Sequence, residues 1–225
     1  MSKNIIITGA SRGIGLALIK QLHDNHNIIA VSRHPEVLQA FSNVNTVVID
    51  FLRENDMKQL LPAVNEFFKG KVDVVIHNAG LLINKSFLEL TQDDFFNMYK
   101  VNVLAVAEMN KLLIPMLQPN AHVVSISSMG GVQGSMKFSG LTGYSSSKGA
   151  LITLSEVLAE EFKDHSIAFN VLALGAVQTE MLKEAFPGFK APVTSEEMAE
   201  FIAHFALTGH KYFNGKIIPV ANSTP

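Results

Sequence analysis

Tyr144 and Lys148 stand four positions apart in the segment 141–150, which reads LTGYSSSKGA. If this segment opens a helix, the spacing places the phenol and the ammonium on one face, within reach of a shared ligand. A phenol has a pKa of about 10 and carries protons poorly at neutral pH unless its anion is stabilised, which a neighbouring ammonium would do. We therefore interpret the pair as a candidate acid–base couple. The alternative interpretation is a half-buried tyrosine that serves only packing.

The composition of the 225-residue chain indicates a globular protein, since 48% of its residues are hydrophobic and its formal net charge is −2. This length suits one domain over residues 1–225 with a substantial core. Because the net charge is small and slightly negative, no nucleic-acid partner is predicted. The chain has no cysteine, which excludes disulfides, thiolate catalysis and zinc–thiolate sites, and its eight histidines are scattered, so that no metal site is predicted.

The distribution of apolar residues predicts no membrane partner. No apolar run approaches the roughly 20 residues that cross a bilayer. The first residues run directly into a strand-like segment and lack the pattern of a cleavable signal peptide. We therefore expect a cytoplasmic protein.

A glycine-rich turn follows the first predicted strand, residues 3–8, and precedes a helical pattern. Strand, glycine-rich turn and helix together are typical of a phosphate-binding loop. Gly9 suits a tight turn, Gly13 would let a diphosphate approach the backbone, and Gly15 would let the helix pack closely. The helix N-terminus would offer free N–H groups to the phosphates. The alternative interpretation of the glycine-rich segment is an ordinary tight turn that binds no ligand. The loop also contains Ser11, Arg12 and Ile14.

The end of the second predicted strand, residues 27–31, bears on the choice of cofactor. An acidic residue there would hold the ribose 2′-hydroxyl of NAD, and a basic one would accept the 2′-phosphate of NADP. Here the strand is followed by Ser32 and Arg33, with Arg12 in the glycine-rich loop. Two guanidinium groups and a hydroxyl would form a phosphate clamp, so the sequence favours NADP(H) over NAD(H). Two solvated surface arginines are the alternative.

The remainder of the chain alternates strands with helices without an internal repeat or linker. This alternation predicts an α/β fold: a doubly wound, Rossmann-like parallel sheet of about seven strands with helices on both faces. The later strands are expected at 46–49, 72–76, 122–126, 167–174 and 215–220. Helices are expected at 55–69, at 91–117, from Tyr144 to about Lys163, and after Thr194, with Thr91–Asp94 and Thr194–Glu197 as caps. The inward side chains of the 55–69 helix would be Met57, Leu60, Leu61, Val64, Phe67 and Phe68.

Polar and small residues follow several of these strands, at the edge where parallel sheets bind ligands. The Asp50 carboxylate could receive an adenine amino group, and Asn78, Ala79 and Gly80 would let the backbone pass close to a ribose. Asn102 lies in mid-helix, where its carboxamide is either satisfied locally or holds the helix open for a water. The fifth strand ends at Ser127 and Ser128.

Taken together, these residues resemble the ordinary single-domain short-chain dehydrogenase/reductase family over nearly the whole chain. The similarity rests on five features in the order and approximate spacing of that family. They are the glycine loop Thr8-Gly9-x-x-x-Gly13-Ile14-Gly15, Asn78-Ala79-Gly80, Asn102, Ser128, and Tyr144-x-x-x-Lys148.

The resemblance implies a mechanism of hydride transfer between NADP(H) and a carbonyl or alcohol substrate. Tyr144 would exchange a proton with the substrate oxygen, and Lys148 would lower the pKa of Tyr144 and hold the nicotinamide ribose. Ser128, rather than Ser127, would bind the substrate oxygen, and Asn102 would position a water in a proton relay. The motif with Val177 and Thr179 would anchor the nicotinamide carboxamide. Pairing of the helices around Asn102 and Tyr144 would make a homodimer or homotetramer.

Three features depart from the family pattern. Leu174 replaces a proline before the last glycine motif, and the interval from Ser128 to Tyr144 is longer, with Met136, Lys137 and Phe138 in the additional length. The C-terminal Val220-Ala221-Asn222-Ser223 replaces Asp-Gly-Gly. A short substrate loop at about 179–192, with Met181, Leu182, Phe186 and Phe189, suggests a partly hydrophobic carbonyl substrate, although these residues are equally consistent with packing.

Two other functions share this type of fold. A non-catalytic NADP(H)-binding sensor would not need the Ser128, Tyr144 and Lys148 set. A sugar-nucleotide epimerase or dehydratase typically carries an additional substrate domain, which this chain lacks. Both are disfavoured relative to an NADP(H)-dependent oxidoreductase.

Overall fold

The computed structural model describes residues 2–222. Its main sheet consists of seven parallel strands: β1 (Asn4–Thr8), β2 (Asn27–Ser32), β3 (Val44–Val48), β4 (Val72–His77), β5 (Leu117–Ser128), β6 (Ala168–Leu174) and β9 (Ile217–Val220). They lie in the order β3-β2-β1-β4-β5-β6-β9, and β7 (Val177–Gln178) and β8 (Val193–Thr194) form a separate two-stranded sheet. The predicted doubly wound parallel sheet is confirmed.

Helices cover both faces of this sheet. They are α1 (Gly13–Leu22), α2 (Leu60–Phe68), α3 (Gln92–Tyr99), α4 (Ala105–Leu113), α5 (Thr142–Glu161), α6 (Glu180–Ala185) and α7 (Ser195–Thr208). Side chains of α1 and α7 share one hydrophobic core, and those of α2 and α4 share the other. Because successive side chains of a strand point to opposite faces, Ile5 and Ile7 enter the first core and Ile6 the second. All three isoleucines are fully buried, as expected of a central parallel strand. Among residues 2–222, no helix is long and apolar enough to cross a membrane.

The segment predicted as one helix over 91–117 differs from that prediction. Thr91 and Asp94 do form a capping box, but α3 passes into a π-helical turn at Lys100–Leu104, and α4 then continues only to Leu113. Pro115 lies in the short 3₁₀ turn that follows, where the missing N–H ends the α-helical hydrogen bonding. Strand β5 therefore begins at Leu117, five residues before the predicted start at 122.

Other predicted boundaries move by a few residues. The helix expected over 55–69 is a 3₁₀ turn at Asp56–Gln59 followed by α2. Phe67, predicted to face inward, is 41% exposed, because Val64 and Phe68 supply the buried face at this end of α2. Helix α5 ends at Glu161, and β9 begins at Ile217. Of the unusual C-terminal residues, Ser223 lies outside the described part of the chain.

Two histidines are buried as neutral rings inside this framework. The His122 ring accepts a hydrogen bond from the Asn170 amide (2.9 Å) and lies 3.0 Å from the Ala206 carbonyl, which requires its Nδ1 to donate. The His77 Nε2 lies 3.0 Å from the Asn110 Oδ1. Burial lowers the pKa of each histidine to about 4.

These histidines should make the fold sensitive to mild acid. In the unfolded chain a histidine takes up a proton near its ordinary pKa of 6.5, whereas in the fold it does so only near 4, so stability is lost as the pH falls between these values. We expect the free energy of unfolding to fall by on the order of 2 kcal/mol for each histidine between pH 7.5 and 5. Urea titrations at the two pH values measure this fall. It should be smaller in His77→Gln, and equal stability at both pH values would contradict the prediction.

Candidate active site

A cavity of about 550 Å³ opens at the carboxyl ends of the parallel strands. Residues that follow β1, β2, β4 and β6 line it, together with the start of α5 and the segment around α6. The predicted site residues in its wall are Gly9, Ser11, Arg12, Gly13, Ile14, Ser32, Arg33, Asp50, Asn78, Ala79, Gly80, Ser128, Tyr144, Lys148, Val177 and Thr179. Gly15 and Asn102 do not line the cavity, but they contact two residues that do, Gly9 and Leu81 respectively. The sequence therefore placed nearly all of its candidate residues around one cleft.

The glycine-rich loop has the backbone conformation that its glycines allow. Gly9 and Gly13 have φ angles of +66° and +52°, in the left-handed region that disfavours other residues. A Cβ at Gly15 would lie 2.0 Å from the Gly9 carbonyl oxygen, so close packing of α1 on the loop requires glycine there. A Cβ at Gly13 would lie 3.4 Å from Thr179 and Glu180, in the space between the loop and the opposite wall.

The N-terminus of α1 fits the diphosphate of a dinucleotide. Arg12 precedes this helix without capping it through its side chain, and the first turn of α1 contains no acidic residue. Its backbone N–H groups and the positive end of the helix dipole therefore remain for an anion. Any Cβ at Gly13 would narrow the space that a diphosphate needs.

The junction between β1 and β4 is held by Thr8, which the sequence analysis did not single out as a site residue. Its buried hydroxyl accepts hydrogen bonds from the amides of Asn78 (3.0 Å) and Ala79 (2.9 Å). The Asn78 side chain in turn donates to the carbonyls of Thr8 (3.0 Å) and Gly9 (3.2 Å). These bonds fix the glycine loop against the segment expected to lie beside a ribose. The only sequence signal for this role is the position of Thr8 directly before the loop.

The predicted phosphate clamp is only partly assembled. Arg12 and Arg33 both line the cavity, but the Arg12 Nη1 lies 3.0 Å from Oε1 of Glu184 in α6. The Ser32 hydroxyl accepts a hydrogen bond from the His34 amide (3.1 Å). Glu184 was not among the predicted site residues, although its spacing of four from Glu180 is visible in the sequence.

Asp50 reaches the cavity from the end of β3. Its Oδ1 accepts a hydrogen bond from the Leu52 amide (3.0 Å), and its Oδ2 lies 3.8 Å from the Arg53 Nε. The carboxylate is thus oriented by its own turn at the cavity wall.

Asn102 lies in the π-helical turn and is completely buried. Its Oδ1 accepts from the Leu81 amide (2.8 Å), and its Nδ2 donates to the Leu81 carbonyl (2.9 Å) and to the Ser147 hydroxyl (2.9 Å). The sequence left open whether the Asn102 carboxamide is hydrogen-bonded locally or holds the helix open for a water. The structure shows that its hydrogen bonds are made locally. A π turn is a frequent feature of functional sites, and here it connects the segment after Gly80 to the helix of Tyr144.

Tyr144 and Lys148 lie one turn apart near the start of α5, as their spacing predicted. The Lys148 side chain is buried, its Nζ donates to the Ile126 carbonyl (2.7 Å), and the same Nζ lies 5.8 Å from the centre of the Tyr144 ring. A Cβ at Gly131 would lie 2.7 Å from the Lys148 backbone, so glycine is needed for the turn after β5 to pack on α5.

The net shift of the Tyr144 pKa in this arrangement is upward, opposite to the lowering expected from Lys148. Burial raises the pKa of Tyr144 to about 12, and hydrogen bonding with Ser128 only partly opposes this shift. Burial also lowers the pKa of Lys148 to about 8. Both shifts have the same cause, because burial disfavours the charged form of each group. Sequence spacing correctly brought the two groups together but carried no information about how deeply they would be buried.

The two serines at the end of β5 have different surroundings. The Ser127 hydroxyl is buried and donates to the Lys148 carbonyl (3.0 Å), which joins β5 to α5. The Ser128 hydroxyl accepts from the Gly130 amide (3.2 Å), and it is the serine close enough to Tyr144 to lower the pKa of that phenol, against the larger effect of burial. This difference favours Ser128 over Ser127 as the serine that faces a substrate.

Comparison with known proteins assigns the chain to a family. A family model described as short chain dehydrogenase matches residues 3–189. Oxidoreductase BOA17 of Botryotinia fuckeliana is 33% identical over 215 residues, which cover 92% of this chain and 76% of that protein. The chain belongs to the short-chain dehydrogenase/reductase family. It is accordingly an oxidoreductase.

Solved structures share the fold of this short-chain dehydrogenase/reductase. A 4-hydroxyisoleucine dehydrogenase complexed with NADH has a TM-score of 0.87 at 22% identity, covering 99% of this chain and 98% of that one. The L-sorbose reductase of Gluconobacter frateurii, complexed with NADPH and L-sorbose, has a TM-score of 0.85 at 22% identity, covering 99% and 96%. At this identity, the similarity supports the Rossmann-like fold alone.

The hydrogen bonds of the Thr8 hydroxyl can be tested with two substitutions, each of which introduces a side chain close in size to threonine. Thr8→Val leaves the amides of Asn78 and Ala79 without their acceptor, which should lower the free energy of unfolding by about 1–3 kcal/mol. Thr8→Ser keeps the hydroxyl and should lose less stability. Urea titrations of the two variants provide the comparison. Equal stability of the valine and serine variants would contradict a role for these hydrogen bonds.

Proposed function

We propose that this protein transfers a hydride between NADP(H) and a carbonyl or alcohol substrate. The observation that carries the proposal is the convergence of Ser128, Tyr144 and Lys148 on the cavity that also contains the glycine-rich loop. A site that only sensed a nucleotide would have no use for a phenol and a serine hydroxyl on the same cavity wall, next to a buried ammonium.

The cofactor would be held along the carboxyl edge of the sheet, where its reduced nicotinamide supplies the hydride when bound. The backbone of the loop, with Ser11 and Ile14, would bind the diphosphate, and Asp50 would bind the adenine. Asn78, Ala79, Gly80 and Lys148 would border the riboses, and Val177 and Thr179 the carboxamide. The Thr179 hydroxyl accepts from the Leu182 amide (3.1 Å), so its own proton remains available for donation.

Tyr144 would act as the proton donor in carbonyl reduction. With a pKa of about 12, its phenol is protonated at neutral pH, which is the form that reduction requires. Its proton would pass to the substrate oxygen while Ser128 donates a hydrogen bond to the same oxygen. Lys148 would then stabilise the phenolate through its charge. Asn102, whose side chain is fixed to Leu81 and Ser147, would position a water that relays protons to Lys148.

The substrate would be a carbonyl compound with a substantial apolar part. The same cavity as Ser128, Tyr144 and Lys148 has many hydrophobic side chains in its wall, and they include Leu82, Met129, Phe138, Leu141, Met181, Leu182, Phe186 and Phe189. Phe138 belongs to the longer interval between Ser128 and Tyr144. Phe189 is 43% exposed, so part of the apolar surface of the loop is not buried by packing against the protein.

Replacement of Tyr144 by phenylalanine tests the proton donor. The Tyr144→Phe variant should lose turnover by a factor of about 10²–10⁴, because the general acid is gone. It should still bind NADPH, since the ring and Lys148 remain. Oxidation of NADPH should be followed with a panel of aldehydes, ketones and quinones, in which apolar compounds should outperform polyhydroxylated ones. Full activity of the variant on the best substrate would remove Tyr144 from the mechanism.

The preference for NADP(H) depends on Arg33 and Arg12. Arg33→Ala should weaken NADPH binding by about tenfold and leave NADH binding nearly unchanged, because only NADPH offers a 2′-phosphate. Arg33→Lys keeps the charge and should lose less. Fluorescence titrations of both cofactors measure the affinities. Binding of NADH to the unmodified protein at least as tight as that of NADPH would contradict the preference.

We also propose that the protein is a homodimer or homotetramer that pairs through the helices around Asn102 and Tyr144. This is supported by three exposed apolar side chains on α3, the π turn and α5, which are Phe96, Leu104 and Val157. A single monomeric species in light scattering at micromolar concentration would contradict it.

A further inference from the structure

Helix α6 presents two carboxylates to the glycine-rich loop. Glu184 lies 3.0 Å from Arg12, and the Glu180 Oε2 lies 3.4 Å from the position of a Cβ at Gly13. Because the two glutamates are four residues apart, they share one face of the helix. That face is therefore acidic where the loop would bind the phosphates of a cofactor.

The ion pair between Arg12 and Glu184 is weak enough to be exchanged. The two side chains are 49% and 66% exposed, so water screens their attraction. A phosphate dianion that approaches Arg12 offers more charge and more acceptor oxygens than one carboxylate. Arg12 cannot give its full charge and geometry to both anions, so the carboxylate and a phosphate would compete for it.

We propose that Glu184 is a specificity-determining residue for the cofactor, and that it acts by competing with the 2′-phosphate of NADP(H) for Arg12. The inference rests on the preference for NADP(H) in the proposed function. Glu184 reduces the advantage of NADP(H) over NAD(H), because only the phosphorylated cofactor needs the guanidinium that Glu184 occupies.

Glu180 has a different effect because of its position. It faces Gly13, at the end of the loop where the diphosphate would lie, and both cofactors carry a diphosphate. Its negative charge should therefore weaken NADPH and NADH alike. Variants of the two glutamates therefore distinguish a general electrostatic effect of α6 on the binding of both cofactors from a specific effect on NADP(H) through Arg12.

The segment around α6 has a second attachment that does not involve Glu184. The Asn84 side chain donates to the Ala185 carbonyl (2.8 Å) at the end of α6, and Thr179 caps its start. Removal of the Glu184 charge should therefore leave this segment in place. A Glu184→Gln substitution keeps the size of the side chain and changes only its charge.

The test compares dissociation constants of NADPH and NADH, measured by fluorescence titration at low ionic strength without substrate. Glu184→Gln should tighten NADPH by about two- to fivefold and leave NADH unchanged. Glu180→Gln should tighten both cofactors by the same factor. Glu66→Gln is the matched control for net charge, because Glu66 is an exposed residue of α2, which packs on the opposite face of the sheet from α1.

A double variant identifies the partner of Glu184. In Arg12→Ala, the added Glu184→Gln should no longer alter the ratio of NADPH to NADH affinity. Unchanged or weaker NADPH binding in Glu184→Gln, or equal tightening of both cofactors, would overturn the inference. Equal affinities of the unmodified protein for the two cofactors would instead contradict the proposed preference, and the ratio in Glu184→Gln would still decide the role of Glu184.

Discussion

The buried ammonium of Lys148 is the constraint on which the proposed catalytic geometry depends. A charged amine is costly to bury unless a polar partner compensates it, and here the Ile126 carbonyl accepts its hydrogen bond at 2.7 Å. This bond joins α5 to the end of β5. Tyr144 lies one turn earlier on α5, and Ser128 lies two residues after Ile126, so this bond, together with that of Ser127 to the Lys148 carbonyl, holds the phenol and the serine at the same strand end. The remaining cost of burying the charged amine is expressed as the lowered pKa of Lys148.

The segment after β4 is fixed by hydrogen bonds from two sides. Thr8 binds its first amides from the side of the glycine loop, and Asn102 binds both backbone groups of Leu81 from the side of the π turn. Asn102 also bonds with Ser147, next to Lys148, so that the cofactor side and the catalytic side of the cleft share one network. Such buried, satisfied polar groups keep a site in position before any ligand arrives.

The segment around α6 differs from this framework in its contacts. Its ties to the cleft, through Arg12 and Asn84, are exposed hydrogen bonds, and the ion pair of Arg12 is the one that a ligand can replace at small cost. Buried hydrogen bonds therefore hold the wall around Tyr144 and Lys148, whereas exposed ones hold the wall around α6. This division is common in enzymes, because chemistry needs fixed geometry while binding and release need movement.

Local patterns in the sequence determined the alternating fold, the capping boxes at Thr91 and Thr194, the glycine-rich loop and the Tyr144–Lys148 pair, because the periods of strands and helices and the conformations of glycine act over a few residues. They also supported Ser128 over Ser127, by resemblance. Only the tertiary structure decided the π turn at Asn102, the pairing of Arg12 with a glutamate 172 residues away, and the direction of the Tyr144 pKa shift. These depend on burial and on contacts between distant segments, which exist only once the chain has folded.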